Sequence, residues 1–194
     1  MTNDEQYKKY KLKGLLDNKE LYKETHPEYN KKETIAKAFT ENFQITADDY
    51  DKYVKEYSDI PQIKAKFYDK RKEGGFNDNI VQFYNWFKSI EKCCYCGVKK
   101  EDLAKYFNDE NEQYKNARQR GKTLEIERIQ TAPKDKNVYT YDNCNLACYI
   151  CNNAKSDFLS PKDFKVIAEG INKFWNSIDT VEAEFPKESD IWNK

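Results

Sequence analysis

The spacing of apolar positions changes twice along this chain, from helical to strand-like and back. Over 78–91, Ile80, Val81, Phe83, Tyr84, Trp86, Phe87 and Ile90 recur at helical spacing and predict a helix with a wide apolar face. An aromatic stripe of this kind reads as core. Upstream, Ile35, Ala36, Ala38 and Phe39 in ETIAKAF predict one helix. Tyr50, Tyr53, Val54 and Tyr57 predict a second, capped by Thr46 with Asp48 and Asp49 in its first turn. The pair has the outline of a helix-turn-helix, but so acidic a start to the second helix fits a plain helical hairpin better than a DNA groove. Residues 1–30 are polar, with Leu12, Leu15, Leu16 and Leu21 as one short stripe. His26, the chain's one histidine, sits in THPEYN and reads as a loop residue. Ile60-Pro61 interrupts the pattern, and IKAKFYDKRKEGG reads as a helix end followed by a hinge at Gly74-Gly75. Residues 101–119 read as a polar helix.

At 124-LEIERIQ-130 the period becomes two. Leu124 and Ile126 share one face, Glu125 and Glu127 the other, which predicts a short strand. The helical period returns after Ser160-Pro161, a cap and a first-turn proline with Asp163 two residues on. Phe164, Ile167, Ala168, Ile171, Phe174 and Trp175 mark that helix's buried face. The order predicts an α+β protein: a mainly helical N-terminal region over 1–90, then a unit over 91–194 that carries the strand and the C-terminal helix.

Composition narrows the partners. Hydrophobic residues are 38% and charged residues 35% of the 194, so the core is modest and leans on 15 Tyr, 11 Phe and 3 Trp. Lys+Arg and Asp+Glu are both 34, which is not the balance of a protein that coats duplex DNA. Nucleic-acid binding would need positive charge gathered on one face, and an acidic or protein partner stays open. Lys115, Arg118, Arg120 and Lys122 form such a cluster just before LEIERIQ; a solvated helix end explains them equally well. The start MTNDEQYKKYKLKG has no apolar segment of the kind a signal peptide needs, and no run has the length of a membrane helix, so a cytoplasmic location is expected.

In a reducing compartment six cysteines are metal ligands before they are disulfides. Cys93-x-x-Cys96 and Cys148-x-x-Cys151 make two knuckles, each spanning one edge of a tetrahedral structural zinc site. Gly97 follows the first pair, as knuckle turns prefer. Cys94 and Cys144 are left over as small, buried or partly buried thiols; Cys94 competes with Cys93, but the x-x spacing favours Cys93 with Cys96.

From Cys93 to Lys155 the chain resembles the HNH nucleases, also called ββα-metal or His-Me finger nucleases. The residues carrying the resemblance are CCYCG, LEIERI as first strand, NVYTYDN leading to Asn143, and NLAC-YI-CNNAKSD as second strand, second knuckle and metal-binding helix. Asn143 lies five residues before Cys148, and Asn152 and Lys155 give the family's Cys-Asn-x-x-Lys. The resemblance implies a zinc-stapled ββα module and a metal-dependent endonuclease acting on double-stranded DNA, in a phage, mobile-element, restriction or defence setting. It implies Glu127 and Asn152 as oxygen ligands of Mg2+ or Mn2+, Asn143 as the residue that holds the inter-strand loop, and Lys155 on phosphate or covering the knuckle. Arg118, Arg120 and Lys122 would follow the DNA backbone, and the N-terminal region would choose the target or bind a protein partner.

The departure is Arg128, which stands where the family has a general-base histidine. An arginine stays protonated and cannot take a proton from water, but it can clamp a phosphate. Three readings stay open. Tyr139 or Tyr141 supplies a phenolate as nucleophile or base, although two tyrosines near any site are unremarkable in this chain. Or metal-bound water ionises with no side-chain base. Or the module is catalytically silent and only binds nucleic acid or protein.

Overall fold

A computed structural model of the chain describes residues 60–76, 80–108 and 120–194. The helices read over 33–57, the His26 loop, Lys115 and Arg118 lie outside the described residues. The chain divides into two compact units, Met1–Lys72 with Asn77–Trp86 and Glu73–Phe76 with Phe87–Lys194.

The first unit contains α1 (Ile60–Lys72) and the first part of α2 (Ile80–Ser89). The sequence suggests only a helix end before Gly74, because Pro61 reads as a breaker. Pro61 instead lies in the first turn of α1, where its missing N–H leaves no intrahelical bond unmade, so the helix begins there. Lys70, Arg71 and Lys72 crowd the last turn, opposite in sign to the carbonyl end of the helix. The core of this unit is aromatic: Phe67 packs on Phe83 at 5.2 Å, and Phe83 on Trp86 at 5.6 Å.

The second unit runs through α3 (Lys100–Tyr106), β1 (Glu125–Arg128), β2 (Cys144–Ala147), α4 (Tyr149–Lys155) and α5 (Pro161–Asn176), and ends in a 3-10 turn at Asp190–Asn193. The fold is α+β. The two strands pair antiparallel, with Glu125 opposite Ala147, Glu127 opposite Asn145 and Arg128 opposite Cys144. The α3 helix stops at Tyr106; of the polar helix read over 101–119, residues 109–119 lie outside the described residues.

The α5 helix starts as the sequence predicts: Ser160 Oγ accepts from the Asp163 backbone N at 3.2 Å, with Pro161 at the first position. Its apolar face is wider than the surface it covers. Phe164, Ala168 and Trp175 are buried, while Ile167 and Phe174 are exposed. Asn172 Nδ2 ties α5 to the first knuckle by donating to the Cys96 carbonyl at 2.8 Å. The tail folds back over the same place: Trp192 stacks on Phe185 at 5.6 Å and meets Tyr95 at 5.8 Å. Among the described residues no helix is long and apolar enough to cross a membrane.

Candidate functional site

The cysteine pairs converge. Cys93, Cys96, Cys148 and Cys151 are all buried, with their sulfurs within 4.8 Å of one another. A tetrahedron of Zn–S bonds has sulfur–sulfur edges of about 3.8 Å, and Cys96 Sγ stands 3.7 Å from Cys148 Sγ. The donor set fits zinc. Burial pushes the Cys93 thiol up, yet hydrogen bonds from Cys148, Cys151 and Cys96 outweigh it and hold the group well below the usual thiol range. The knuckle is shaped by Gly97 at φ +75°, where a Cβ would lie 1.8 Å from the Glu184 carbonyl oxygen; only glycine fits. Cys94 stays outside the cluster. Burial, and then the charges of Cys93 and Glu127, raise its thiol well above the ordinary range, the mark of an inert cysteine. Its backbone N donates to the Leu146 carbonyl at 2.9 Å and fastens the knuckle to β2.

Because α4 follows β2 directly, one of its faces lies on the polar face of β1. Asn152 and Lys155 are three apart and share that face. Asn152 Nδ2 donates to Glu125 Oε2 at 3.0 Å, and Lys155 Nζ stands 3.0 Å from Glu127 Oε1. Lys155 is completely buried and also donates to the carbonyls of Arg128, at 3.1 Å, and Ser156, at 3.4 Å. It therefore reaches no phosphate in this structure. The ammonium sits in a cage of three oxygens and balances the buried Glu127. Tyr95 OH, from inside the first knuckle, donates to the same Glu127 oxygen at 3.2 Å. Burial raises the Glu127 carboxyl, against the pull of Lys155, Tyr95 and Arg128. Burial likewise raises the Tyr95 phenol, which stays a donor.

The sequence pairs Glu127 with Asn152; the structure sets Glu125 beside Asn152 and Lys155 beside Glu127. Carboxylate and amide oxygens on facing surfaces suit a hard divalent cation by donor type. Their charge is already met, by Lys155 on one side and by Arg120 on the other, whose Nη2 is 2.8 Å from Glu125 Oε1. Arg120 also lies over the Tyr149 ring at 4.8 Å. Little charge is left over for a cation among these residues.

The inter-strand loop is held by Asn143. Its Oδ1 accepts from Gln130 N at 2.9 Å, and its Nδ2 donates to the carbonyls of Gln130, Lys136 and Val138 at 3.0, 2.8 and 3.0 Å. One buried amide thus fixes the chain on both sides of the loop, immediately after Arg128. The Arg128 guanidinium lies 4.8 Å above the Tyr139 ring, and its Nη2 donates to Asp157 Oδ1 at 3.2 Å. Tyr141 turns to Phe76 instead, with ring centroids 5.1 Å apart. Of the two candidate tyrosines, Tyr139 is the one brought to the arginine.

Tyr95 and Asp157 belong to this site and were not singled out by the sequence; Glu125 was placed on the face of Glu127 but given no role. Tyr95 could have been noticed within CCYCG; nothing marks Asp157 but its place after the Cys-Asn-x-x-Lys run. The order strand, strand, helix over a four-cysteine cluster is an HNH-like arrangement. No protein-family model matches the chain, and no curated protein does. The chain is similar to the solved structure of PacI, described as a rare-cutting HNH restriction endonuclease. Identity is 25%, covering 59% of this chain and 76% of that one, with a TM-score of 0.45.

Proposed function

We propose that this protein is a metal-dependent DNA endonuclease of the HNH type that hydrolyses phosphodiester bonds. The observation that carries the proposal is the end of β1: Arg128 held between Tyr139 and Asp157, with the loop behind it fixed by Asn143. Arg128 uses one edge on Asp157 and offers its remaining N–H groups to a phosphate. The ring of Tyr139 sets the plane of the guanidinium. Asn143 keeps Arg128 and Tyr139 in register across the loop. Asn152 and Glu125, which lie side by side, would hold the cation; Glu127 is already taken up by Lys155 and Tyr95. When bound, that cation supplies charge stabilisation to the phosphate and to the leaving 3′ oxygen. Tyr139 is the favoured nucleophile or base, because a cation already covers its ring. Zinc at the four cysteines is structural.

A second reading has one specific observation behind it. Lys155 stands where a cation beside Glu127 would stand, which favours a silent module that binds nucleic acid or protein.

Supercoiled plasmid, incubated with Mg2+ and separately with Mn2+, tests the two. The enzyme reading expects nicking by the wild type and at least a hundredfold loss in Arg128→Ala, comparable to removal of an oxyanion-stabilising donor. Tyr139→Phe should lose the same amount if the phenol reacts, and little if it only supports Arg128. A zinc-loaded, folded wild type that nicks with neither metal sinks the enzyme and leaves the silent module.

A further inference from the structure

We propose that Phe158 is a DNA-stacking residue that seats a base, or wedges a base step, beside the phosphate gripped by Arg128; the proposal rests on the DNA reading above. Phe158 is 92% exposed. Burying a phenylalanine stabilises a fold, so a fixed loop that keeps one in water forgoes that stabilisation. This loop is fixed. Arg128 Nη2 holds the neighbouring Asp157 by its carboxylate, and Thr131 Oγ1 holds the Asp157 carbonyl at 3.1 Å. The Leu159 N returns to the Lys155 carbonyl at 3.4 Å, and Ser160 caps α5. The turn is also strained, since Ser156 takes φ +52° and ψ −157°, a combination that suits glycine and few other residues. A turn tied at both ends and held in a costly backbone presents its one aromatic side chain outward.

The chemistry next to it selects the occupant. The residue before Phe158 anchors the guanidinium that the phosphate would meet. A cation for the backbone and an aromatic face for a base are the two halves of nucleic-acid contact. An aromatic side chain can also part a base step and bend the duplex. Protein partners that bury such a residue would not need the arginine beside it.

The test uses the full zinc-loaded chain and a mixed-sequence duplex of about 30 base pairs, without added magnesium. Phe158→Trp should bind as the wild type does, and the introduced indole should be quenched by DNA beyond the change in the wild type's own tryptophans. Phe158→Ala should keep its zinc and lose roughly tenfold or more in affinity, the cost of one stacked base. Unchanged indole emission in a Phe158→Trp protein that binds DNA overturns the proposal. So does Phe158→Ala binding and nicking like the wild type, or losing only self-association by sedimentation, which would make Phe158 a protein contact. Quenching without nicking by the wild type keeps the stacking role and removes the enzyme. No binding of DNA by the wild type removes both.

Discussion

Lys155 illustrates how much a single side chain can settle. A lysine with no exposed surface keeps its charge only if oxygens replace its water, and here Glu127, the Arg128 carbonyl and the Ser156 carbonyl do so. Removing one partner of such a pair costs far more than replacing both. Lys155→Met should therefore destabilise the fold by roughly 3–5 kcal/mol at neutral pH. The loss has a pH signature. Burial already raises the Glu127 carboxyl, and without Lys155 it rises further. A group whose folded pKa lies above its unfolded value contributes stability that is complete below the unfolded pKa and is lost as pH rises through the folded one. Lys155→Met should accordingly regain stability on acidification, while Lys155→Met with Glu127→Gln should be nearly flat over the same range and closer to wild type. Urea unfolding at several pH values measures this. A Lys155→Met protein as stable as the wild type at pH 7 would show that the pair does not hold strand to helix.

At the scale of elements, β1, β2 and α4 are too short to stand alone: four, four and seven residues. Isolated helices and hairpins of this size are marginal in water. The four-sulfur cluster closes the chain from the first knuckle to α4, and its metal-binding energy is folding energy. Cys93→Ser should abolish zinc and unfold the second unit. Cys94→Ser, one residue along, should keep about one equivalent of zinc, as metal analysis with circular dichroism would show. The reverse result would exchange the roles of the two residues. The knuckles and β1 were legible in the sequence because spacing and alternation are local, whereas β2 and α4 came only from the family resemblance. The α5 start was legible on local grounds too, through its cap. Partners across the fold were not. Alternation puts Glu125 and Glu127 on one face, but nothing local says which meets Asn152 and which meets Lys155. The α1 helix was missed because a proline is a breaker inside a helix and harmless in its first turn. The exposed half of the α5 stripe was read as buried because periodicity gives a direction without saying what covers it.

For the whole molecule, the equal counts of acidic and basic residues bear on how DNA would be held. Binding a phosphate releases counterions, and the logarithm of affinity falls with the logarithm of salt by about 0.9 per phosphate neutralised. With 34 positive and 34 negative residues, the positive charge that meets DNA has to be gathered locally. The cations assigned to DNA are few: Arg118, Arg120, Lys122 and Arg128. Two of them also carry local acids, Arg120 with Glu125 and Arg128 with Asp157. Each guanidinium keeps further N–H groups for phosphate while its acid stays in place. The slope should therefore be about −3 to −4, so that raising salt from roughly 50 to 200 mM costs about a hundredfold in affinity. Fluorescence anisotropy over a salt series gives the slope. A value steeper than about −6 would mean that other basic residues share the contact, as in a duplex-coating protein. Arg120→Gln should reduce the slope by about one. An unchanged slope in that variant would place the DNA path away from Arg120 and the first strand.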